Sequence, residues 1–207
     1  VYSRQALEAI AKVVEKHDLL VISDEIYESL VFNGEHVCFA TLPGMRDRTF
    51  TMGGFSKTYA MTGLRLGYII ADASFFPALS MLGANMAMSV NSIAQRGGLA
   101  ALRDCQYFAD DMARIYRERA DCIVKLIDQM PGVSCVVPKG TFYLMMDISQ
   151  TGLTSVEFAM GLLKSQGVAT IAGIAFGQTA DQFVRISYNG SGAMLTQAME
   201  KVGDYVK

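Results

Sequence analysis

Two rhythms of apolar and polar positions run through the first half of the chain. From about Arg4 to Lys16, Leu7, Ile10, Ala11 and Val14, with Val13 beside them, recur at the three- and four-residue spacing of a helix with one apolar face, and Ser3 stands where an N-cap belongs. The chain then runs straight into Asp18-Leu19-Leu20-Val21-Ile22-Ser23, a continuous apolar stretch of strand length. A run without alternation is the mark of a strand covered on both faces of a parallel sheet. Thr49–Met52 and Leu66–Ile70 are further strand candidates, so the pattern is α/β. A helix feeding a buried parallel strand normally follows an earlier strand of the same sheet. Here it begins within a few residues of Val1, which is not Met, and the sequence reads as the later part of a longer protein.

The second half changes character. Tyr107, Phe108, Met112, Ile115, Ile123, Leu126, Ile127 and Met130 recur at helical spacing and predict one amphipathic helix from about Arg103 to Met130, stopped by Pro131-Gly132. Short strands are expected at Val133–Val137, Phe142–Ile148, Val168–Ile171 and Phe183–Ser187. A helix is expected over Ser155–Gln166, closed by Gly167, and another after Ser191. The alternation predicts a small α/β domain over 96–207, docked on a first domain over 1–95. Residues 73–95 carry no charge and are long enough to span a bilayer, but Pro77, Gly83, Asn85 and Asn91 interrupt them. A packed interior or interdomain helix is expected there.

Composition narrows the function classes. A formal net charge of -2 gives no electrostatic case for nucleic acid or an anionic membrane, so the expected partner is a small molecule. The cysteines, Cys38, Cys105, Cys122 and Cys135, form no C-x-x-C pair, and His17 and His36 are the only histidines. No metal site is expected, and free thiols suit a reducing compartment. No basic-then-apolar leader opens the sequence, and a cytoplasmic protein is expected.

Chemistry concentrates in two segments, Ser23-Asp24-Glu25-Ile26-Tyr27 and Gly53-Gly54-Phe55-Ser56-Lys57-Thr58-Tyr59, the latter running on to Arg65. A lysine becomes a nucleophile only where burial or cationic neighbours lower its pKa. Asp24 falls at the carboxyl end of the first strand and Lys57 closely follows the next, and ligands of open α/β sheets bind outside those ends. The plainer alternative makes Ser23 and Asp24 caps of the next turn. A phosphate-binding G-x-x-x-x-G-K loop fails at Thr51 and Ser56, and a G-x-S-x-G nucleophile elbow fails at Thr58. Arg185 lies among the strand-type residues Phe183-Val184-Arg185-Ile186, where a charge is costly to bury unless paired. A carboxylate could pair with it bidentately, or it could be an edge-strand arginine reaching solvent.

The two segments resemble the lysine box and the aspartate-tyrosine box of the class I, aspartate aminotransferase-like enzymes of fold type I. The resemblance runs through most of the chain and is weakest between about residues 73 and 130. It implies part of a large pyridoxal-phosphate domain, mostly parallel sheet with helices, followed by a small carboxyl-terminal α/β domain. It also implies pyridoxal 5′-phosphate as cofactor and transfer of an amino group from an amino acid to a 2-oxo acid. A carbon-sulfur or related lyase, or a non-catalytic fragment, is the alternative. By the same resemblance Lys57 would form the Schiff base and carry protons, and Asp24 would keep the pyridine nitrogen protonated. Tyr27 would donate to the ring's phenolic oxygen, Arg65 would sit on the phosphate, and Arg185 would bind the substrate carboxylate. Gly140-Thr141-Phe142-Tyr143 and Gly173-Ile174-Ala175-Phe176-Gly177 resemble family segments lining that side of the pocket. Gly54 stands where many relatives have a phosphate-binding serine, and Ala172 and Ile174 replace a frequent Pro and Ser. A homodimer is implied, and for this chain alone, self-association with little turnover.

Overall fold

Ser3 opens the first helix as expected, its hydroxyl accepting the Ala6 amide at 3.2 Å, and α1 runs Arg4–Lys16 with Ala11 and Val14 buried. The structure, a computed structural model, describes all residues, Val1–Lys207. After α1 the chain turns through Asp18 at a φ of 46°, and the Leu19 amide still bonds to Val14. This turn delays the strand expected from Asp18, and β1 is Val21–Asp24. It pairs in parallel with β2 (Thr49–Gly54), which pairs in antiparallel with β3 (Gly67–Ile70). The three strands lie in the order β1-β2-β3.

One face of this sheet meets α1 and the loop before β2, where Ala11, Val14, Val37, Phe39, Leu42 and Met45 form a core with Leu7 and Val21 packed against it. The other face is covered only in part within this chain, where Phe75 packs on Phe50 at a centroid distance of 4.7 Å, and not fully as the apolar run predicts. Ile22 is 74% exposed, and it lines an apolar groove with Phe50, Met52, Ile69 and Leu82. The uncharged stretch forms α3 (Phe76–Ala87), which buries none of its residues, so the expected packed helix is exposed here. The helix is largely apolar, and this chain offers it only the groove side, where Ala78, Leu79 and Leu82 line the space with the sheet residues. No helix of the chain is long and apolar enough to cross a membrane. Asn91 caps α4 (Ser92–Asp104), whose Gly98 sits so near the Leu66 and Phe55 side chains that a Cβ would fall 2.5 Å from Leu66 Cδ2.

Glu25, the residue after β1, is 7% exposed at the edge of this core. Its Oε1 accepts from Ser23 Oγ (2.9 Å) and the Phe39 amide (3.0 Å), and its Oε2 lies 2.7 Å from His36 Nε2. Burial pushes the carboxyl pKa up, but the Phe39 amide, His36, Ser23 and Cys38 together outweigh it and hold the group below the usual glutamate value.

The expected helix from Arg103 is broken at Cys105, which caps α4, and α5 spans Gln106–Ile127. Two compact units divide within α5, at Val1–Ala113 and Arg114–Lys207, and not at the 95/96 boundary that the sequence pattern predicts. The packing of Gly98 against Phe55 and Leu66 keeps α4 with the first unit.

In the second unit β4 (Ser134–Cys135), β5 (Tyr143–Asp147), β6 (Ile171–Ala172) and β7 (Phe183–Ser187) form an antiparallel sheet in the order β4-β5-β7-β6. Leu144 and Met146 of β5 and Val184 and Ile186 of β7 are buried on one face, the alternation of a half-covered sheet. Beside the sheet lie α6 (Ser155–Gln166) and α7 (Gly192–Tyr205), and the unit buries Phe158, Leu162, Ile123, Ile127 and Val202. Thr154 and Glu157 close a capping box on α6, and Gly167 ends it in the left-handed conformation. Ser155 is fully buried, its hydroxyl donating to Asp181 at 2.6 Å and accepting the Ile174 amide at 3.2 Å. Next to it Gly173 lies against the Ala180 and Phe183 carbonyls, with no room for a Cβ.

Gly173→Ala is expected to destabilise the second unit by about 1–3 kcal/mol, because the added methyl meets backbone and not a side chain that can move aside; urea unfolding would measure the loss. Glu25 gives a pH dependence. Its folded-state pKa lies below the unfolded value, so its contribution is present above the ordinary glutamate range and is lost as pH falls through the lowered value. Urea midpoints taken from about pH 7 down to about pH 3 should fall less steeply in Glu25→Gln than in the unaltered chain.

Candidate active site

The strand β2 ends in Gly53 and Gly54, which face Tyr68 and Gly67 of β3. A Cβ on Gly53 would lie 2.5 Å from the Tyr68 ring, and one on Gly54 would lie 2.8 Å from Ile26 Cδ1 and 3.2 Å from the Leu66 carbonyl. These close approaches, and not any unusual backbone angle, call for glycine. The chain then makes the single turn α2 (Phe55–Thr58), with Phe55 and Thr58 buried and Lys57 half-buried between them. The turn is anchored by the Phe55 amide on the Leu66 carbonyl (3.2 Å) and by the Phe55 ring near Tyr68, with centroids 6.1 Å apart. Lys57 Nζ is 5.9 Å from the centroid of the Tyr27 ring.

Asp24 closes β1 and is exposed, with Oδ1 accepting the Ile26 amide at 3.1 Å. The turn-capping role weighed for it is therefore real, but it uses one of two oxygens. The Glu25 amide continues the parallel pairing onto the Met52 carbonyl (2.9 Å), and a turn follows with Glu28 bonding back to Glu25 and Leu30 to Tyr27. Half-buried Tyr27 sits in that turn. Because β1 and β2 are parallel, their carboxyl ends share one edge of the sheet. Because β3 runs the other way, Arg65, just before it, reaches the same edge. Arg65 holds a left-handed backbone at φ 51°, and its Nη1 donates to the Thr62 carbonyl at 3.0 Å. Asp24, Tyr27, Lys57 and Arg65 are thus gathered on one edge of the first unit.

Arg185 belongs to the second unit. It lies in β7 opposite Met145 of β5 and Ile171 of β6, so it is on an interior strand and the edge-strand alternative does not hold. Its guanidinium carbon lies over two aromatic rings, 5.1 Å from the centroid of Tyr143 and 5.0 Å from that of Phe176. Contact with a ring face orients the cation without neutralising it, and its N–H donors remain for an acceptor. Phe176 is held there by the turn that Gly173 packs down. Three residues beyond Arg185, Tyr188 is fully buried, its hydroxyl donating to the Thr141 carbonyl at 3.4 Å, and burial drives its pKa far up.

The sequence pattern alone does not single out Glu25, His36 and Glu28, whose ligand-type atoms lie within 4.8 Å of one another. Each is already engaged, Glu28 by the Tyr68 hydroxyl at 3.3 Å. One signal was available, since consecutive acidic residues at a strand end point to opposite sides and one of them must meet the core.

A family model described as aminotransferase class I and II matches residues 1–202. An aspartate aminotransferase of Pinus pinaster is 40% identical, the match covering 98% of this chain and 44% of the relative. The aromatic-amino-acid aminotransferase 2 of Thermococcus litoralis is 37% identical over 100% of this chain and 54% of its own length. The solved aromatic aminotransferase of Pyrococcus horikoshii OT3 superposes with a TM-score of 0.94 at 38% identity, over 99% of this chain and 55% of that one. The chain spans about half the length of the curated relatives it matches. With a family match along nearly its whole length and both sequence boxes gathered at one sheet edge, the chain belongs to the class I and II aminotransferases.

Proposed function

We propose that this chain carries the cofactor lysine of a pyridoxal 5′-phosphate-dependent aminotransferase, which moves an amino group from an amino acid to a 2-oxo acid. The observation that carries the reading is the placement of Lys57 beside Tyr27, on the sheet edge that also presents Asp24 and Arg65. Tested against the cofactor, these groups fit. A carboxylate with an oxygen to spare suits a protonated pyridine nitrogen, a phenol suits the ring oxygen, and an amine suits the aldehyde. A guanidinium suits the phosphate.

When bound, the ring supplies a sink for the negative charge that develops at the substrate carbon. The chain's own residues do the rest. Asp24 holds the proton on the ring nitrogen, and Tyr27 orients the ring through its phenolic oxygen. Lys57 would secure the cofactor through its amine and would move a proton as general base and acid. Arg65 anchors the phosphate, which requires its guanidinium to leave the Thr62 carbonyl or to share it. Arg185 takes the substrate carboxylate with its N–H donors. In this reading residues 1–113 are part of the cofactor-binding domain and 114–207 the substrate-side small domain. The protein is placed in the cytoplasm, with which its four free thiols are in keeping, and acts as a homodimer.

In the full-length protein, borohydride reduction after adding pyridoxal phosphate, followed by peptide mapping, should put the label on Lys57. Lys57→Ala should abolish both label and transamination while the circular dichroism stays unchanged; a label on another lysine sinks the assignment. Arg185→Ala should weaken carboxylate substrates by about 2–5 kcal/mol and leave cofactor affinity in place, because its assigned partner is the substrate. Asp24→Ala should slow proton abstraction, seen as a fall in kcat. Loss of cofactor with unchanged substrate affinity in the Arg185 variant would show the role to be wrong.

A further inference from the structure

We propose that Glu25 is the positioning residue of this site: its buried carboxylate clamps the turn carrying Asp24 and Tyr27 onto the loop from His36 to Phe39, and so sets where both cofactor-facing groups stand. The inference rests on the pyridoxal-phosphate reading for what those groups hold, and on geometry alone for the clamp.

At the end of β1 the side chains of Asp24 and Glu25 part company. Asp24 is exposed on the site side, while Glu25 turns to the core and is 7% exposed. Its carboxylate collects Ser23 Oγ from its own strand, the Phe39 amide from fourteen residues on, and His36 Nε2. Phe39 and Val37 are themselves buried in the core, at 4% and 8% exposed, so the clamp ends on a fixed body. The peptide of Glu25 is pinned as well, with its amide on the Met52 carbonyl of β2 and its carbonyl accepting from Glu28. Asp24 and Tyr27 flank this residue on either side and cannot shift without it.

A buried carboxylate is costly, and an apolar residue of similar size would fill the space at less cost. What the charge adds is direction. Charge-assisted bonds from three separate donors fix one orientation, where an apolar side chain would allow several. Removing the carboxylate would leave the Phe39 amide buried without a partner and free the turn.

In the full-length protein without ligand, amide hydrogen exchange read on peptides covering residues 21–30 and 36–42 tests the clamp. Fluorescence titration with pyridoxal phosphate tests its consequence. Glu25→Ala should speed exchange in both stretches, leave peptides within 155–187 unchanged, and weaken cofactor binding by about tenfold, the size of effect usual for a lost supporting partner. Glu25→Gln keeps the shape and one acceptor, and should restore most of that affinity. A folded Glu25→Ala protein with wild-type exchange over 21–30 overturns the proposal, and so does weakened binding without faster exchange, since orientation would not be the cause. If Glu25→Ala does not fold, His36→Gln at the partly exposed end of the clamp decides: faster exchange over 21–30 supports the clamp, and unchanged exchange overturns it. An unaltered protein that takes up no pyridoxal phosphate overturns the reading of the site, while the exchange measurement still decides the clamp.

Discussion

The parallel pairing of β1 with β2 is the constraint on which the site depends. Asp24 faces Met52 in that register, and the Glu25 amide adds one more bond to the ladder. Parallel strands bring like ends together, so the residues following each strand, Tyr27 in one case and Lys57 in the other, come to one edge although thirty positions of chain separate them. Were the pair antiparallel, Asp24 and Lys57 would stand at opposite ends of the sheet. A one-residue slip would also exchange the exposed Asp24 for the buried Glu25, placing the wrong carboxylate on the site side.

What the sequence disclosed was mostly local. Helix α6 and strand β7 have the limits that Thr154, Gly167 and the Phe183–Ser187 run announce, because caps and alternation act over a few residues. The lysine and aspartate-tyrosine boxes were legible for the same reason. Less legible was anything set by partners distant in sequence. Glu25 reads as part of the turn that Ser23 and Asp24 would cap until His36 and Phe39 are seen to close on it. The rings beside Arg185 come from β5 and from the turn after β6, and no spacing within Phe183–Ser187 points to either. The break at Cys105 is not legible because no glycine or proline marks it between Arg103 and Tyr107. The burial of β1 and α3 was misjudged because apolar sequence states what a surface favours, not whether this chain supplies the cover.

The two units solve the problem of holding a charged group in different ways. Glu25 is kept ionised by donors that converge on it from three places, so its charge is spent inside the structure. Arg185 lies against two aromatic rings and not against a carboxylate, so its charge remains available to an incoming anion. Contact with a ring face orients a guanidinium without neutralising it, which a carboxylate neighbour could not do. The first arrangement suits a fixed support and the second a binding group.

The uncovered helix α3 carries methionine where it is most open: Met81 is 62% exposed, Met86 83%, and Met88, just beyond its end, 88%. A thioether in contact with solvent is open to peroxide, and its sulfoxide is polar and chiral where the sulfide was apolar and pliant. Oxidation would therefore turn this face from one that seeks apolar cover into one that resists it. The rate at which these sulfurs oxidise reports, residue by residue, how much of the helix is shielded at any moment.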